Sequence, residues 1–165
     1  METDMTRRSF LQKSSLVIAM SILPGKLNLF SLAAADAGSH KNFQPHAFLE
    51  IATDNTVTVW VGQTNLGQGT HTGIPMVIAD ELDAAWKSVR VMAAPAADPF
   101  KDPVWKMQTT GGSTSIRHRW DLLRKVGAAA REMFKQAAAD KWQIPAEKVR
   151  TKDGRVIHPN GTSIS

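Results

Sequence analysis

The longest periodic signal in the chain is an apolar stripe in which Ile116, Trp120, Leu123, Gly127, Ala130, Phe134 and Ala137 recur at steps of three and four. That spacing puts them on one face of a helix reaching about Lys141. Such a face must be buried against another layer, and alanine and glycine in mid-stripe predict close packing against a sheet. Residues 47–51 and 57–61 are β-branched and aromatic runs around Thr53-Asp54-Asn55-Thr56, which predicts a hairpin. A Gly-rich loop over 62–69 leads to a short helix over about 72–82, with Pro75 acceptable in its first turn. Residues 89–93 alternate as a strand, and a loop rich in Pro, Ala and Asp runs from 94 to about 110. Beyond the long helix, 149–151 and 156–158 form a second hairpin around Lys152-Asp153-Gly154, and Asn160-Gly161 marks another turn. The order predicts an α+β fold, a mixed sheet with two helices packed on it. The chain stops where a new strand is expected, which reads as truncation of a larger domain.

The N-terminus carries an address. Thr6-Arg7-Arg8-Ser9-Phe10-Leu11 is a twin-arginine export pattern, although Gln12 stands where a lysine is usual. The apolar stretch 16–23 is too short to span a bilayer as a helix, Pro24-Gly25 breaks it, and Ala33-Ala34-Ala35 or Ala35-Asp36-Ala37 offers a cleavage site. The expected division is therefore a signal peptide over 1–35, a polar linker over 36–46 and one domain over 47–165. The expected location is the periplasm, reached through the twin-arginine translocase. That route carries proteins already folded, which points to a cofactor inserted before export.

Composition narrows the chemistry. There is no cysteine, so neither an iron–sulfur cluster nor a thiolate zinc site can be held by this chain. The five histidines (His40, His46, His71, His118 and His158) lack metal-ligand spacing. The formal charge of +5 includes four basic residues against two acidic ones in the leader, leaving only about +3 mixed with acids, which argues against a nucleic-acid partner. The five tryptophans are scattered and read as packing residues rather than a stacking platform.

Two loops could carry chemistry. Leu66-Gly67-Gln68-Gly69-Thr70 precedes the first helix, and Thr109-Thr110-Gly111-Gly112-Ser113-Thr114-Ser115 precedes the second. Each sets glycines, backbone N–H groups and hydroxyls before a helix N-terminus, where unpaired donors and the macrodipole favour an anion. The second helix opens Ile116-Arg117-His118-Arg119, with no acid before Asp121. Arginines there oppose the dipole unless a bound phosphate reverses the sign. Equally, Arg117 and Arg119 could point into water while Ser113 or Ser115 caps the helix. Neither loop is a Walker A, G-x-G-x-x-G or nucleophile-elbow motif. His71 reads as a solvated or capping residue.

Gly67-Gln68-Gly69-x-x-Thr72, then Ala79-Asp80-Glu81-Leu82, then Thr110-x-x-Ser113-x-Ser115 resembles the molybdenum-binding large subunit of the xanthine dehydrogenase/aldehyde oxidase family, in the branch typified by the isoquinoline 1-oxidoreductase beta subunit. The resemblance covers about 43–165. It implies a molybdopterin dinucleotide carrying molybdenum, in the cytosine form, with Gln68 of Gly67-Gln68-Gly69 at the metal end. Thr110, Gly111, Gly112, Ser113 and Ser115 would then bind the dinucleotide phosphates. It further implies hydroxylation of an N-heterocycle or an aldehyde, with an iron–sulfur subunit and often a cytochrome c subunit as electron partners. The family's catalytic glutamate has no matching motif here, and Glu50, Glu81, Glu132 and Glu147 are not candidates. The chain alone is thus expected to be catalytically silent. An exported binding module that kept the fold without catalysis is the alternative, and the residue spacing does not suggest a serine hydrolase.

Overall fold

The computed structural model describes residues 43–165, and the backbone of two short strands before them. These are β1 (Ile18–Leu23) and β2 (Lys26–Ser31), paired antiparallel in a sheet of their own. The twin-arginine residues and both candidate cleavage sites lie outside the described residues, as does most of the expected linker. Its last residues do not behave as a linker. Phe43–His46 is a strand, β3, pairing antiparallel with β4 (Leu49–Ile51).

The hairpin predicted around residue 54 is present. β4 pairs antiparallel with β5 (Val57–Val61), Leu49 opposite Val59. Leu49, Ile51, Val57, Val59 and Val61 are buried, the period-2 face the sequence announces. Asn55 takes the left-handed conformation, and the Thr56 N–H donates to Asp54 Oδ1 at 2.9 Å, closing the turn. From β5 the chain crosses through α1 (Thr70–Leu82) to β6 (Val89–Ala93), which lies parallel to β5. The mixed sheet therefore runs β3-β4-β5-β6. Helix α1 lays Ile74, Pro75, Ile78, Ala79 and Leu82 into the core. It begins at Thr70, so Pro75 is not in its first turn as expected. Pro75 cannot donate to the His71 carbonyl, and its buried ring supplies apolar contact instead.

The long helix, α2, spans Trp120–Trp142, preceded by a 3-10 turn at Arg117–Arg119. Leu123, Val126, Gly127 and Ala130 are buried, whereas Trp120 at the head of the stripe is exposed. Gly127 in mid-stripe meets a helix rather than the expected sheet. A Cβ on Gly127 would lie 2.5 Å from the Ile78 carbonyl oxygen of α1. Glycine lets the two backbones approach here.

The C-terminal strands do not extend the first sheet. β7 (Arg150–Lys152), β8 (Arg155–Ile157) and β9 (Ser163–Ile164) make a separate antiparallel sheet. Val149 of this end packs with Ala138 and Ala139 of α2, and Trp142, Ile144, Val156 and Ile164 lean on them. Asp153 and Gly154 both have positive φ, as a two-residue hairpin requires. Gly154 also ties the two sheets, its N–H donating to Asp83 O at 2.6 Å and its carbonyl accepting from Asn55 Nδ2 at 3.3 Å. A groove of about 350 Å³ opens along this seam, lined by Ile51, Leu82, Phe134 and Val156 among others, and by no residue of the two glycine-rich candidate loops.

Candidate functional site

The two glycine loops, 46 residues apart in sequence, are joined in space. The Thr64 N–H donates to Thr110 Oγ1 at 2.8 Å. Gly73, in the first turns of α1, is also where the loops close up, since a Cβ there would lie 2.8 Å from Ile116 Cδ1. The first loop is folded on itself. Gln68 Nε2 donates to Thr64 O at 2.8 Å, and Gln68 Oε1 accepts from Leu66 N–H at 2.6 Å. One of the two amide protons of Gln68 is left to donate outward. Gly67 and Gly69 have φ of 84° and 78°, with nothing among the described residues within 4 Å of where a Cβ would stand. Gly69 is the N-cap of α1, whose first turn carries no acid. His71, instead of being solvated, sets Nε2 2.8 Å from Gln63 O.

In the second loop Gly111 accepts from both Thr114 N–H and Thr114 Oγ1, the latter at 2.8 Å. Gly111 has open space beside it, whereas a Cβ on Gly112 would strike the Trp105 ring at 2.7 Å. Ser113 is exposed with a left-handed φ of 54°, and Ser115 is buried. No serine caps α2, contrary to one of the two readings left open by the sequence.

The arginines divide. Arg117 is exposed and stays at the loop, Nη2 donating to Gly112 O at 3.4 Å. Arg119 neither faces solvent nor is free to meet an anion. It is 1% exposed, donating through Nη1 to Asp102 Oδ2 at 3.1 Å and through Nη2 to Phe100 O at 3.3 Å. With its amide turned to satisfy both groups, the Gln63 side-chain oxygen accepts from the same guanidinium at 3.0 and 3.2 Å. Asp102 is the hub. Oδ1 accepts from Val104 and Trp105 N–H at 2.9 Å each, and His118 Nδ1 lies 3.0 Å away. Burial pushes this carboxyl up, but the Trp105, His118 and Val104 hydrogen bonds and the Arg119 charge outweigh it, holding it at about 2. Burial in turn lowers Arg119, against the opposing pull of Asp102.

Asp102, Gln63 and Thr64 escaped the sequence reading. Asp102 is one of two acids in a Pro- and Ala-rich loop, and nothing local distinguishes it from the other, exposed Asp98, which pairs with Lys101. Two of the glutamates set aside as bases are in ion pairs, Glu81 with Arg124 at 2.5 Å and Glu132 with Lys135 at 3.0 Å.

The model of the molybdopterin cofactor-binding domain matches residues 6–165. The chain belongs to that family. Among its relatives is the beta subunit of isoquinoline 1-oxidoreductase from Brevundimonas diminuta, 34% identical over 157 residues, covering 93% of this chain and 20% of the relative. A membrane-bound aldehyde dehydrogenase (pyrroloquinoline-quinone) of Gluconacetobacter polyoxogenes is 35% identical over 74% of this chain and 15% of its own length. A nicotinate dehydrogenase subunit of Pseudomonas putida is 30% identical over 72% of this chain and 10% of its own. Quinoline 2-oxidoreductase from Pseudomonas putida 86 shares the fold, with a TM-score of 0.50 at 20% identity over 67% of this chain and 13% of that one. The chain thus spans a fifth or less of the length of these relatives.

The residues present fit a molybdopterin nucleotide. Such a group brings phosphates, which need backbone donors approached without hindrance, and Gly67, Gly69 and Gly111 leave that space open. The helix start behind the first loop carries no acid in its first turn. Thr70 Oγ1 at that start is buried without a hydrogen-bond partner among the described residues.

Proposed function

We propose that this molybdopterin cofactor-binding domain supplies part of the dinucleotide site of a periplasmic molybdenum hydroxylase acting on N-heterocycles or aldehydes. The observation that carries the reading is the Thr64–Thr110 hydrogen bond, because it makes one surface of two loops that each suit an anion. Gln68 faces the metal end, and Gly67 and Gly69 let the ligand lie against backbone. Thr110, Gly111, Gly112, Ser113 and Ser115 hold the phosphates of a cytosine dinucleotide. The cofactor supplies the two-electron oxidation, while these residues bind and orient it. The names of the relatives, for isoquinoline, nicotinate and aldehyde, support that substrate range. Two of those relatives are named as subunits, which favours an assembly with other chains, here an iron–sulfur subunit and a cytochrome c. The Thr6–Leu11 pattern supports twin-arginine export.

The test is to express the gene with its partner subunits in a host that makes the cofactor, then measure molybdenum and cytidine nucleotide per polypeptide in the periplasmic fraction. Stoichiometric metal in the wild type and its loss in the double variant Gln68→Ala, Ser113→Ala are expected. A wild type without molybdenum, or a double variant with full metal and activity, would sink the reading.

A further inference from the structure

We propose that Asp102 and Arg119 are positioning residues for the cofactor surface, a buried pair that holds the two glycine loops in one relative register. The inference rests on the reading of those loops as the dinucleotide site. Both side chains are fully buried, and neither touches the exposed loop faces assigned to the ligand. Their bonds run instead to the chain segments from which the loops spring. Gln63, held by the Arg119 guanidinium, immediately precedes Thr64, the residue bonded to Thr110. The Gln63 carbonyl also meets His71 in the first turn of α1. Phe100 O, a second acceptor for Arg119, belongs to the segment packed against Gly62, where a Cβ would sit 2.9 Å from Phe100 Cβ.

Asp102 governs the other side. By accepting from Val104 and Trp105 N–H it turns the chain so that the Trp105 ring lies over Gly112 and edge-on to His118. His118 and Arg119, both bonded to Asp102, form the 3-10 turn that leads from the Thr110–Ser115 loop into α2. One planar, multi-donor guanidinium therefore fixes the exit of β5, the 98–108 loop and the start of α2 together. A lysine, with a single point charge, cannot donate to Asp102, Phe100 O and Gln63 in the same fork. Supporting groups of this kind orient the residues that touch a ligand, and their loss weakens binding about tenfold or more.

The experiment uses the polypeptide as its gene encodes it, assembled with its partners and purified as the loaded complex. Four variants are compared: Asp102→Asn, Arg119→Met, Arg119→Lys and the charge-neutral double Asp102→Asn, Arg119→Met. The readouts are pterin nucleotide per polypeptide, hydrogen exchange of the amides at 63–69 and 110–115, and the urea midpoint. Asp102→Asn and Arg119→Met are expected to retain about a tenth of the wild-type nucleotide, with faster exchange in both loops. The double variant regains most of the urea midpoint, because no lone charge stays buried, yet its nucleotide content stays low. Arg119→Lys remains folded and loses nucleotide severalfold. Should the double variant or Arg119→Lys carry wild-type nucleotide, the pair is merely structural and the positioning role is overturned. Wild-type exchange in both loops of Arg119→Lys overturns it equally. A wild-type complex devoid of pterin nucleotide would instead defeat the cofactor reading itself, and the proposal with it.

Discussion

Replacing Gly127 by alanine should destabilise the domain, although alanine is the better helix former. The added Cβ would stand 2.5 Å from the Ile78 carbonyl oxygen and 2.9 Å from Glu81 Cβ. An ordinary C···O contact is about 3.3 Å or more, so α1 and α2 must part locally by roughly 0.8 Å. The obstacle is backbone in mid-helix, which no rotamer change can clear. Overpacking of this kind costs about 2–3 kcal/mol, the upper part of its usual range. Alanine returns about 1 kcal/mol of helix propensity. The net loss is therefore about 1–2 kcal/mol, or roughly 4–8 °C in Tm for a domain of this size. Urea and thermal unfolding followed by circular dichroism measure it directly. Gly111→Ala is the internal control, since nothing among the described residues lies within 4 Å of its Cβ and its φ is ordinary. If Gly127→Ala matched or exceeded the wild type in stability, the close helix crossing, and the reason for glycine there, would be refuted.

The control makes a second prediction: Gly111→Ala keeps the wild-type urea midpoint but loses pterin nucleotide, because its methyl fills the space left for the ligand. Full nucleotide in that variant would remove Gly111 from the site. Asp102 sets an acid limit. Its folded pKa, about 2, lies below the ordinary carboxylate value of 3.8, so its stabilising effect is complete above about pH 4 and fades as pH falls through 2. The gap in urea midpoint between wild type and Asp102→Asn should therefore narrow from pH 4 to 2, and a constant gap would contradict the ionised, hydrogen-bonded carboxylate.

Much of the local structure was legible because it follows from short-range rules. The Val57, Val59, Val61 alternation predicted β5, the turn residues predicted both hairpins, and the spacing from Ile116 to Ala137 predicted α2. Phe43–His46 was missed because its pairing depends on β4, not on its own composition. The candidate loops were legible as glycine-rich segments before helices, and the motif order pointed to the family they belong to.

By itself, then, the sequence determined most of the elements, their order and the two loops whose backbone is open to an anion. Those properties reside in backbone propensity, side-chain period and the lack of a Cβ at glycine, all local quantities. Only the tertiary structure decided that Thr64 bonds Thr110, that Gly127 serves a helix rather than a sheet, and that the strands divide between two sheets. It also decided the fate of Arg119. Beside a helix start, an arginine can face a phosphate, water or a buried carboxylate, and local sequence treats these alike. Desolvation separates them, since a buried guanidinium requires a charged partner within reach. That partner, Asp102, lies 17 residues earlier and is brought there by the fold.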